Sequence, residues 1–189
     1  VLATRKVLIY AGNLGQAQGI ENFAQIILGT KDQADFGFLI IGRGSKKKWL
    51  QDFIRLHQLD NVLMLDEVDL YSLSRFYSQC HAGLIFLDSK HQSHNIPGKF
   101  ISYLEAGLPV VACVNSRNDL LKIIVNNKLG LVVNDSQEFV TSISPFLDSI
   151  SNDKSYSTRS RDFYQSHYQP SAIARQILST FVEQENLER

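Results

Sequence analysis

The most regular feature of the chain is a series of short apolar runs that recur at a steady interval. The runs are residues 6–11, 37–41, 61–65, 82–87, 109–113 and 129–133. Each has the length and the β-branched content of a buried strand. The apolar residues are continuous and do not alternate with polar ones, which is typical of strands covered on both faces and therefore of a parallel sheet.

The segments between these runs carry apolar residues at helical spacing. Ile20, Phe23 and Ile27 share one helix face, and the same spacing recurs in residues 50–56 and 70–77. Strand alternating with helix is the signature of a doubly wound α/β domain. We therefore predict a parallel sheet of about six strands with helices on both faces.

The C-terminal part of the chain is predicted to be helical. Residues 139–150 have the pattern of an amphipathic helix, residues 151–160 are polar and are predicted as a surface loop, and apolar residues return at helical spacing within 171–184. We therefore expect residues 151–189 to be a helical tail, and residues 1–189 to be a single domain.

Composition and charge narrow the class of protein. A chain of 189 residues that is 44% hydrophobic can bury a core and is not a disordered chain. Its 19 basic and 19 acidic residues cancel, which disfavours nucleic-acid binding by bulk electrostatics.

The N-terminal residues lack the pattern of a signal peptide. The sequence does not begin with Met, so we expect a fragment of a longer protein. Cys80 and Cys113 are too few for a disulfide framework, which favours reduced cytosolic thiols.

Glycine-rich and basic segments follow the predicted strands, at the end of the sheet where ligands of open α/β domains bind. Gly12, Gly15 and Gly19 follow the first run, and there the backbone could approach a diphosphate closely. Their spacing matches neither the dinucleotide fingerprint nor a Walker loop. The loop is therefore either a phosphate-binding turn or an ordinary tight turn.

A cluster of cations follows the second run. Arg43 and the lysines 46–48 stand near a predicted helix start, where cations oppose the helix dipole and an anion would be favourable. For the three lysines the alternative, a solvated basic surface, is favoured. Arg43 is closest to the strand end and is the better candidate for a phosphate contact.

The segment around Pro97 is the most informative. Pro97 suits the first position of a helix and Gly107 its end, so we predict a helix over 97–106. Its N-terminus would offer unpaired N–H groups to an anion, and Lys99 adds a full charge. Glu105 is expected to be buried among apolar neighbours, where it would bind hydroxyl groups such as a ribose diol or else cap the helix or pair with a cation.

Two other groups of reactive side chains carry less weight. His91 and His94 lie three residues apart in a polar loop, but no third ligand stands at a useful spacing, so a solvated loop is favoured over a metal site. Cys80 and His81 are adjacent and would point apart, which favours a buried structural thiol over a nucleophile pair.

Residues 105–111, Glu-Ala-Gly-Leu-Pro-Val-Val, resemble a motif in the donor-binding half of retaining glycosyltransferases of the GT-B fold, in the large family four. That motif has two glutamates separated by seven residues; Glu105 matches the second, and Pro97 stands in place of the first. The departure is similar to a subgroup with a Pro-Ser-Lys helix start, many of whose members build bacterial surface polysaccharides, including lipopolysaccharide, from UDP-sugars. Further segments that resemble the family are residues 12–15, 41–44, 59–62 and 77–80.

The resemblance implies a Rossmann-like domain that binds a nucleotide diphosphate sugar. It implies that Glu105 bonds the ribose hydroxyls, that Lys99 holds the diphosphate, and that both are catalytic. The implied donor-binding residues, with Arg43 added for its charge, are Gly12, Asn13, Gly15, Arg43, Leu65, Val68, Pro97, Gly98, Lys99 and Glu105.

The family usually has an Arg and a Lys after its first strand to neutralise the diphosphate. Asn13 and Gln18 stand there in this chain, so Lys99 and Arg43 are expected to supply the charge. If these cations and a helix N-terminus balance the leaving UDP, no metal or other cofactor is required.

The resemblance also implies partners. The acceptor site of such enzymes belongs to an N-terminal domain that would precede Val1, so this chain is expected to bind the donor and to be inactive alone. The expected acceptor is a saccharide or a lipid-linked sugar, and the expected location is the cytoplasm or the inner face of the cell membrane. The main alternative is a non-catalytic nucleotide-binding or regulatory module. An NAD-dependent oxidoreductase is disfavoured by the glycine spacing and by Arg43, which stands where an acidic residue would end the second strand.

Overall fold

The structure, a computed structural model, describes residue 2 and residues 4–88, 96–114 and 118–187. Within these ranges the strands are β1 (Lys6–Ala11), β2 (Phe36–Ile41), β3 (Val62–Leu65), β4 (Ala82–Phe86), β5 (Val110–Cys113) and β6 (Gly130–Val133). The helices are α1 (Ile20–Gly29), α2 (Lys47–Leu56), α3 (Leu70–Tyr77), α4 (Gly98–Ala106), α5 (Asp119–Asn126), α6 (Ser136–Asn152), α7 (Tyr156–His167) and α8 (Pro170–Leu187). A short 3₁₀ helix, Gln16–Gln18, precedes α1.

The sheet is parallel, with the strand order β3-β2-β1-β4-β5-β6. The chain begins in the middle of the sheet, builds outward through β2 and β3, and then returns to place β4 on the other side of β1. The loops after β1 and β4 therefore leave in opposite directions and open a crevice at the carboxyl ends of the strands. The predicted doubly wound sheet with helices on both faces is confirmed.

Two apolar layers hold the helices on the sheet. On one face, Phe23 of α1 stacks on Phe86 of β4 with ring centroids 4.4 Å apart, and α6 packs beside them. On the other face, α4, α5 and α7 contribute Leu104, Leu120 and Phe163 to a second cluster. Each large side chain that is fully buried contributes about 1.5–3 kcal/mol, so both layers fix the strand ends that form the crevice.

Helix α4 is fixed at the switch in strand order by Tyr103, which is fully buried. The Tyr103 hydroxyl accepts a hydrogen bond of 3.2 Å from the Ala11 N–H of β1. It also lies 3.3 Å from the Leu84 carbonyl oxygen of β4, so it ties the two central strands together. A Cβ on Gly83 would lie 2.4 Å from the Tyr103 ring, so only glycine leaves room for this contact.

The ends of α4 agree with the prediction from Pro97 and Gly107. Pro97 caps the helix with extended backbone, and Gly107 ends it in the left-handed region at φ 76°. The predicted helix over 97–106 is therefore confirmed as Gly98–Ala106.

The predicted surface loop over 151–160 is wrong. Helix α6 continues to Asn152, and α7 begins at Tyr156. The polar composition was misleading because α7 buries only a narrow stripe, which includes Tyr156 and Ser160. Its other polar groups stabilise the turn, as in the salt bridge of 2.9 Å between Arg159 and Asp153. In the described part of the chain, no helix combines the length and the apolar character that a membrane span requires.

Candidate functional site

A crevice of about 570 Å³ opens at the carboxyl ends of β1, β2 and β3, beside α3 and α4. Its lining residues are Ala11, Gly12, Asn13, Ile41, Gly42, Arg43, Glu67, Val68, Leu70, Leu73, Tyr77, Lys99 and Ser102. Ligand pockets in proteins typically measure about 300–1,000 Å³, so this crevice is large enough for an organic ligand. The structure brings Gly12, Asn13, Arg43, Val68 and Lys99 together there, as the sequence predicted.

The floor of the crevice is main chain. Gly12 and Gly42 adopt φ angles of 141° and 156°, and a Cβ on Gly42 would lie 2.0 Å from the Gly12 carbonyl oxygen. The loops after β1 and β2 can therefore lie back to back only because both positions are glycine. Gly15 lies at the other end of the first loop, where a Cβ would meet the Asn13 amide at 2.8 Å. Gly42 was not among the predicted site residues, although a glycine directly after a strand is a signal for such an approach.

Lys99 enters the crevice from the first turn of α4. Its Nζ donates a hydrogen bond of 2.9 Å to the Gln18 Oε1 atom and lies 4.0 Å from the centre of the Tyr10 ring. Within the described part of the chain, no carboxylate forms a salt bridge with it. Burial lowers the pKa of Lys99 from 10.5 to about 7. A desolvated ammonium group without a counter-ion favours an anionic ligand.

The N-terminus of α4 adds to this electropositive end. Pro97 caps the helix without a side-chain hydrogen bond, and among the described residues nothing lies within 4 Å of a Cβ built on Gly98. The first N–H groups of a helix have no intrahelical partner and carry the positive end of its dipole. Pro97 itself has no N–H, so the first main-chain donor of α4 is the N–H of Gly98, directly before Lys99.

The cations after β2 differ from Lys99 because each has an acidic partner. Their salt bridges are Arg43–Glu67 at 3.0 Å, Lys46–Glu21 at 2.5 Å, Lys47–Asp66 and Lys48–Asp52 at 3.0 Å. Arg43 stands at the rim of the crevice and is largely exposed. The three lysines do not line the crevice. The interpretation as a solvated surface holds for Lys48, but the side chains of Lys46 and Lys47 are only 27% and 18% exposed.

Apolar side chains line the crevice on the α3 side. Val68, Leu70 and Leu73 form this part together with Tyr77. Leu65, which was also expected among the donor-binding residues, does not line the crevice. Its side chain packs into the core of that face, and its carbonyl oxygen accepts a hydrogen bond from the Gly42 N–H. The crevice therefore has a charged part beside α4 and an apolar part beside α3.

The expectation that Glu105 is buried is wrong. The side chain is exposed, and its carboxylate accepts a hydrogen bond of 3.2 Å from the Tyr164 hydroxyl of α7. It lies about 9 Å along the helix axis from Lys99, at about 1.5 Å per residue, and it does not line the crevice. Apolar neighbours in sequence do not bury a helical residue, because successive residues face different directions; here Leu104 takes the buried face.

Ser102 occupies the position in the crevice that Glu105 was expected to hold. It follows Lys99 by three residues, so the two side chains share one face of α4. The spacing from Lys99 was the sequence signal that could have identified it. Its hydroxyl lies 3.4 Å from the Gly98 carbonyl oxygen and can both donate and accept hydrogen bonds.

The described part of the structure does not support the two alternative sites, a metal site at His91 and His94 and a nucleophile pair at Cys80 and His81. His91 and His94 lie outside the described residues. Among the residues that are described, no three His, Cys, Asp or Glu side chains are grouped so as to hold a metal ion. Burial raises the pKa of the Cys80 thiol to about 12, which disfavours a thiolate nucleophile. His81 accepts a hydrogen bond of 3.0 Å from the Val7 N–H, at the amino end of the sheet and far from the crevice.

Comparison with known sequences gives one family. The family described as glycosyl transferases group 1 matches residues 5–149, which include all the strands and the whole crevice. No curated protein matches the sequence at a significant level.

Solved structures share the fold. A structure of a mutant S. aureus TarM in complex with fondaparinux, alpha-GlcNAc-glycerol and UDP has a TM-score of 0.70 at 16% identity and covers 96% of this chain and 36% of TarM. Anabaena HepE in complex with UDP has a TM-score of 0.75 at 14% identity, covering 96% of this chain and 50% of HepE. The C-terminal domain of LpcC, a glycosyl transferase group 1 family protein from Francisella tularensis, has a TM-score of 0.65 at 17% identity and 88% coverage of both chains. This chain thus spans half or less of TarM and HepE.

Proposed function

The chain belongs to the glycosyl transferases group 1 family. We propose that it is the donor-binding part of an enzyme that transfers a sugar from a UDP-sugar to a saccharide or lipid-linked acceptor. The observation that carries this proposal is Lys99, an ammonium group without a carboxylate partner among the described residues, beside the N-terminus of α4, whose N-cap Pro97 makes no side-chain hydrogen bond. A diphosphate supplies the negative charge that this part of the crevice favours.

The two parts of the crevice suit the two ends of a nucleotide. In the proposed arrangement, the diphosphate lies against Gly12 and Lys99, and the base lies between Val68 and Leu73 on the apolar side. Ser102 lines the crevice on the same helix face as Lys99, and in the proposed arrangement its hydroxyl bonds the ribose. This arrangement replaces Glu105 by Ser102 as the proposed ribose contact.

The proposed chemistry is electrostatic. When the bond between the sugar and the diphosphate breaks, the sugar gains oxocarbenium character and negative charge accumulates on the leaving UDP. Protonated Lys99 and the first N–H groups of α4 stabilise that charge, by about 2.7–4 kcal/mol per donor if they act as oxyanion-hole donors do. No step of the proposed reaction uses a metal ion or another cofactor. The enzyme transfers the sugar with retention, as in the family that the sequence resembles.

The acceptor site is assigned to another part of the enzyme. TarM and HepE are longer than this chain, and the TarM structure contains a saccharide as well as UDP. The proposal places the acceptor on an N-terminal domain, so the donor-binding part alone does not turn over.

Calorimetric titration of the chain with UDP, ADP, GDP and NAD tests the proposal. We expect saturable binding of UDP that is about 10- to 100-fold weaker in Lys99→Ala and retained in Lys48→Ala, a matched variant at a lysine that is 85% exposed and paired with Asp52. A preference for NAD would favour an oxidoreductase. Absence of any nucleotide binding would favour a module that keeps the fold without a donor.

A further inference from the structure

The ammonium group of Lys99 is held by two neutral side chains. Gln18, the last residue of the 3₁₀ helix after β1, accepts its hydrogen bond of 2.9 Å. Tyr10, fully buried in β1, presents its ring face at 4.0 Å. The Tyr10 hydroxyl is itself held, because it donates a hydrogen bond of 2.7 Å to the Asn13 carbonyl oxygen and lies 3.4 Å from Gln18 Oε1.

This arrangement fixes the position of a cation without cancelling its charge. A glutamine carbonyl oxygen accepts one of the three N–H donors of a lysine, and an aromatic face attracts the cation through its quadrupole. A carboxylate in the same place would form a salt bridge and would compete with any anionic ligand. The other lysines near the crevice, residues 46–48, are paired with carboxylates in that way.

Charged groups on the neighbouring elements do not replace Gln18 in this role. Arg43 after β2 and Glu67 after β3 pair with each other at the rim. Tyr77 of α3 lines the crevice, and burial keeps its pKa high, at about 12, so that it stays neutral. Glu21 of α1 pairs with Lys46, and Asp88 follows β4, where its N–H donates to the Ala17 carbonyl oxygen.

We propose that Gln18 is a positioning residue for Lys99: its side-chain oxygen holds the ammonium group beside Gly12 and leaves the full positive charge available to the diphosphate of the donor. The identity of the anion rests on the proposed function, but the control of Lys99 by Gln18 does not. Because the ammonium group is desolvated, its protonation and diphosphate binding become linked, and the side chain at position 18 sets the pH range of that linkage.

The first test measures Lys99 without any nucleotide. The pKa of Lys99 is read from its side-chain Cε signal by NMR in the unmodified chain and in Gln18→Leu and Gln18→Glu, with the signal assigned through Lys99→Arg. We expect the pKa of Lys99 to fall in Gln18→Leu, which removes the acceptor, and to rise by more than one unit in Gln18→Glu, which adds an opposite charge. Gln16→Leu, an exposed position in the same 3₁₀ helix, is the matched control and is expected to leave it unchanged.

The second test titrates the same variants with UDP and with uridine between about pH 6 and about pH 9, on either side of the range where Lys99 loses its proton. Gln18→Leu is expected to bind UDP about tenfold more weakly near neutral pH and to recover affinity at lower pH. Gln18→Glu is expected to bind UDP more weakly at every pH, with a flatter pH profile. Uridine binding, which involves no phosphate, is expected to be the same in all variants.

The outcomes separate this inference from the proposed function. If neither the pKa of Lys99 nor the pH profile of UDP binding differs between the Gln18 variants and Gln16→Leu, the positioning role is overturned, even if Lys99→Ala abolishes UDP binding. If the unmodified chain binds no UDP, the proposed function fails, and the NMR measurement still decides whether Gln18 controls Lys99. If Gln18 had only a structural role, both Gln18→Leu and Gln18→Glu would lower the thermal stability. The pKa of Lys99 would then not fall in one variant and rise in the other.

Discussion

A cluster of three lysines at the start of α2 and the single lysine of the crevice lie near the carboxyl ends of the strands, and their electrostatic settings are opposite. At the start of α2, lysines 46–48 each form a salt bridge with a carboxylate. In the crevice, Lys99 contacts the Gln18 amide and the Tyr10 ring, and none of the described carboxylates pairs with it. The α2 cluster has more cations, but Lys99 is the one of these four lysines that has no carboxylate partner among the described residues. The proposed anion-binding site therefore rests on the missing partner and not on the number of cations.

Burial further separates Lys99 from Lys48, the exposed lysine of the α2 cluster. Lys48 is 85% exposed, and a salt bridge at such a position contributes about 0–1 kcal/mol and weakens with salt. Lys99 is partly buried, and its desolvation lowers its pKa to about 7. A phosphate group that replaces the lost hydration therefore gains more at Lys99 than at Lys48.

The largest expected effect is on nucleotide affinity. Lys99→Ala is expected to weaken UDP binding by about 10- to 100-fold, because hydrogen bonds to charged groups contribute about 1.5–3 kcal/mol. Lys48→Ala is expected to change the affinity by less than about twofold, as an exposed pair does. Both are measured by calorimetric titration with UDP. Equal losses in the two variants would contradict the distinction between Lys99 and the α2 cluster.

The next largest effect is on the stability of the chain: removing the charge of Lys99 is expected to weaken UDP binding but to stabilise the fold. Lys99→Met is expected to increase the free energy of unfolding by roughly 1–2 kcal/mol near neutral pH, after allowance for partial exposure, because it removes a desolvated charge. Between about pH 7 and 10.5 the unfolded chain binds a proton at Lys99 that the folded chain does not, so the unmodified protein gains stability as pH rises. The advantage of Lys99→Met should therefore shrink towards high pH in urea unfolding experiments.

That stability prediction would be contradicted by a Lys99→Met protein that is less stable than the unmodified chain at every pH. Lys48→Met is the matched control and should show no such dependence on pH, since an exposed lysine is not desolvated.

A smaller effect compares two positions of α4. Ser102→Ala is expected to weaken UDP binding by about three- to fivefold, the loss of a single neutral hydrogen bond. Glu105→Ala is expected to leave UDP affinity unchanged, because Glu105 lies outside the crevice and bonds Tyr164. If Glu105→Ala lost more affinity than Ser102→Ala, the position of the ribose would have to be reassigned.

The smallest effect on UDP affinity is expected for Arg43, at the rim of the crevice. Arg43 is 81% exposed and paired with Glu67, so Arg43→Ala should weaken UDP binding by less than about threefold. Titrations at low and high salt provide the check, because the difference should disappear as salt screens the exposed charge. A salt-resistant loss would place Arg43 in direct contact with the diphosphate.

The sequence predicted the sheet and α4 because their signals are local. Continuous apolar runs indicate strands buried on both faces, and Pro97 and Gly107 mark the ends of a helix. Gly12, on the crevice floor, was predicted from its position directly after a strand, whereas Gly42 has the same kind of position and was missed.

The sequence could not predict which charges are balanced or which helix faces are buried. The partners of lysines 46–48 include Glu21 and Asp66, which come from other elements and depend on tertiary packing. The expectation that Glu105 is buried was wrong because apolar neighbours in sequence do not define the buried face of a helix. The hydrogen bond between Lys99 and Gln18 joins residues that are far apart in the chain, so no local pattern indicated it.

The most direct test of the central claim is a crystal structure of this chain with UDP. We expect diphosphate oxygens within about 3 Å of Lys99 Nζ and of the first N–H groups of α4. Diphosphate bound at lysines 46–48, with Lys99 still held only by Gln18 and Tyr10, would contradict the claim.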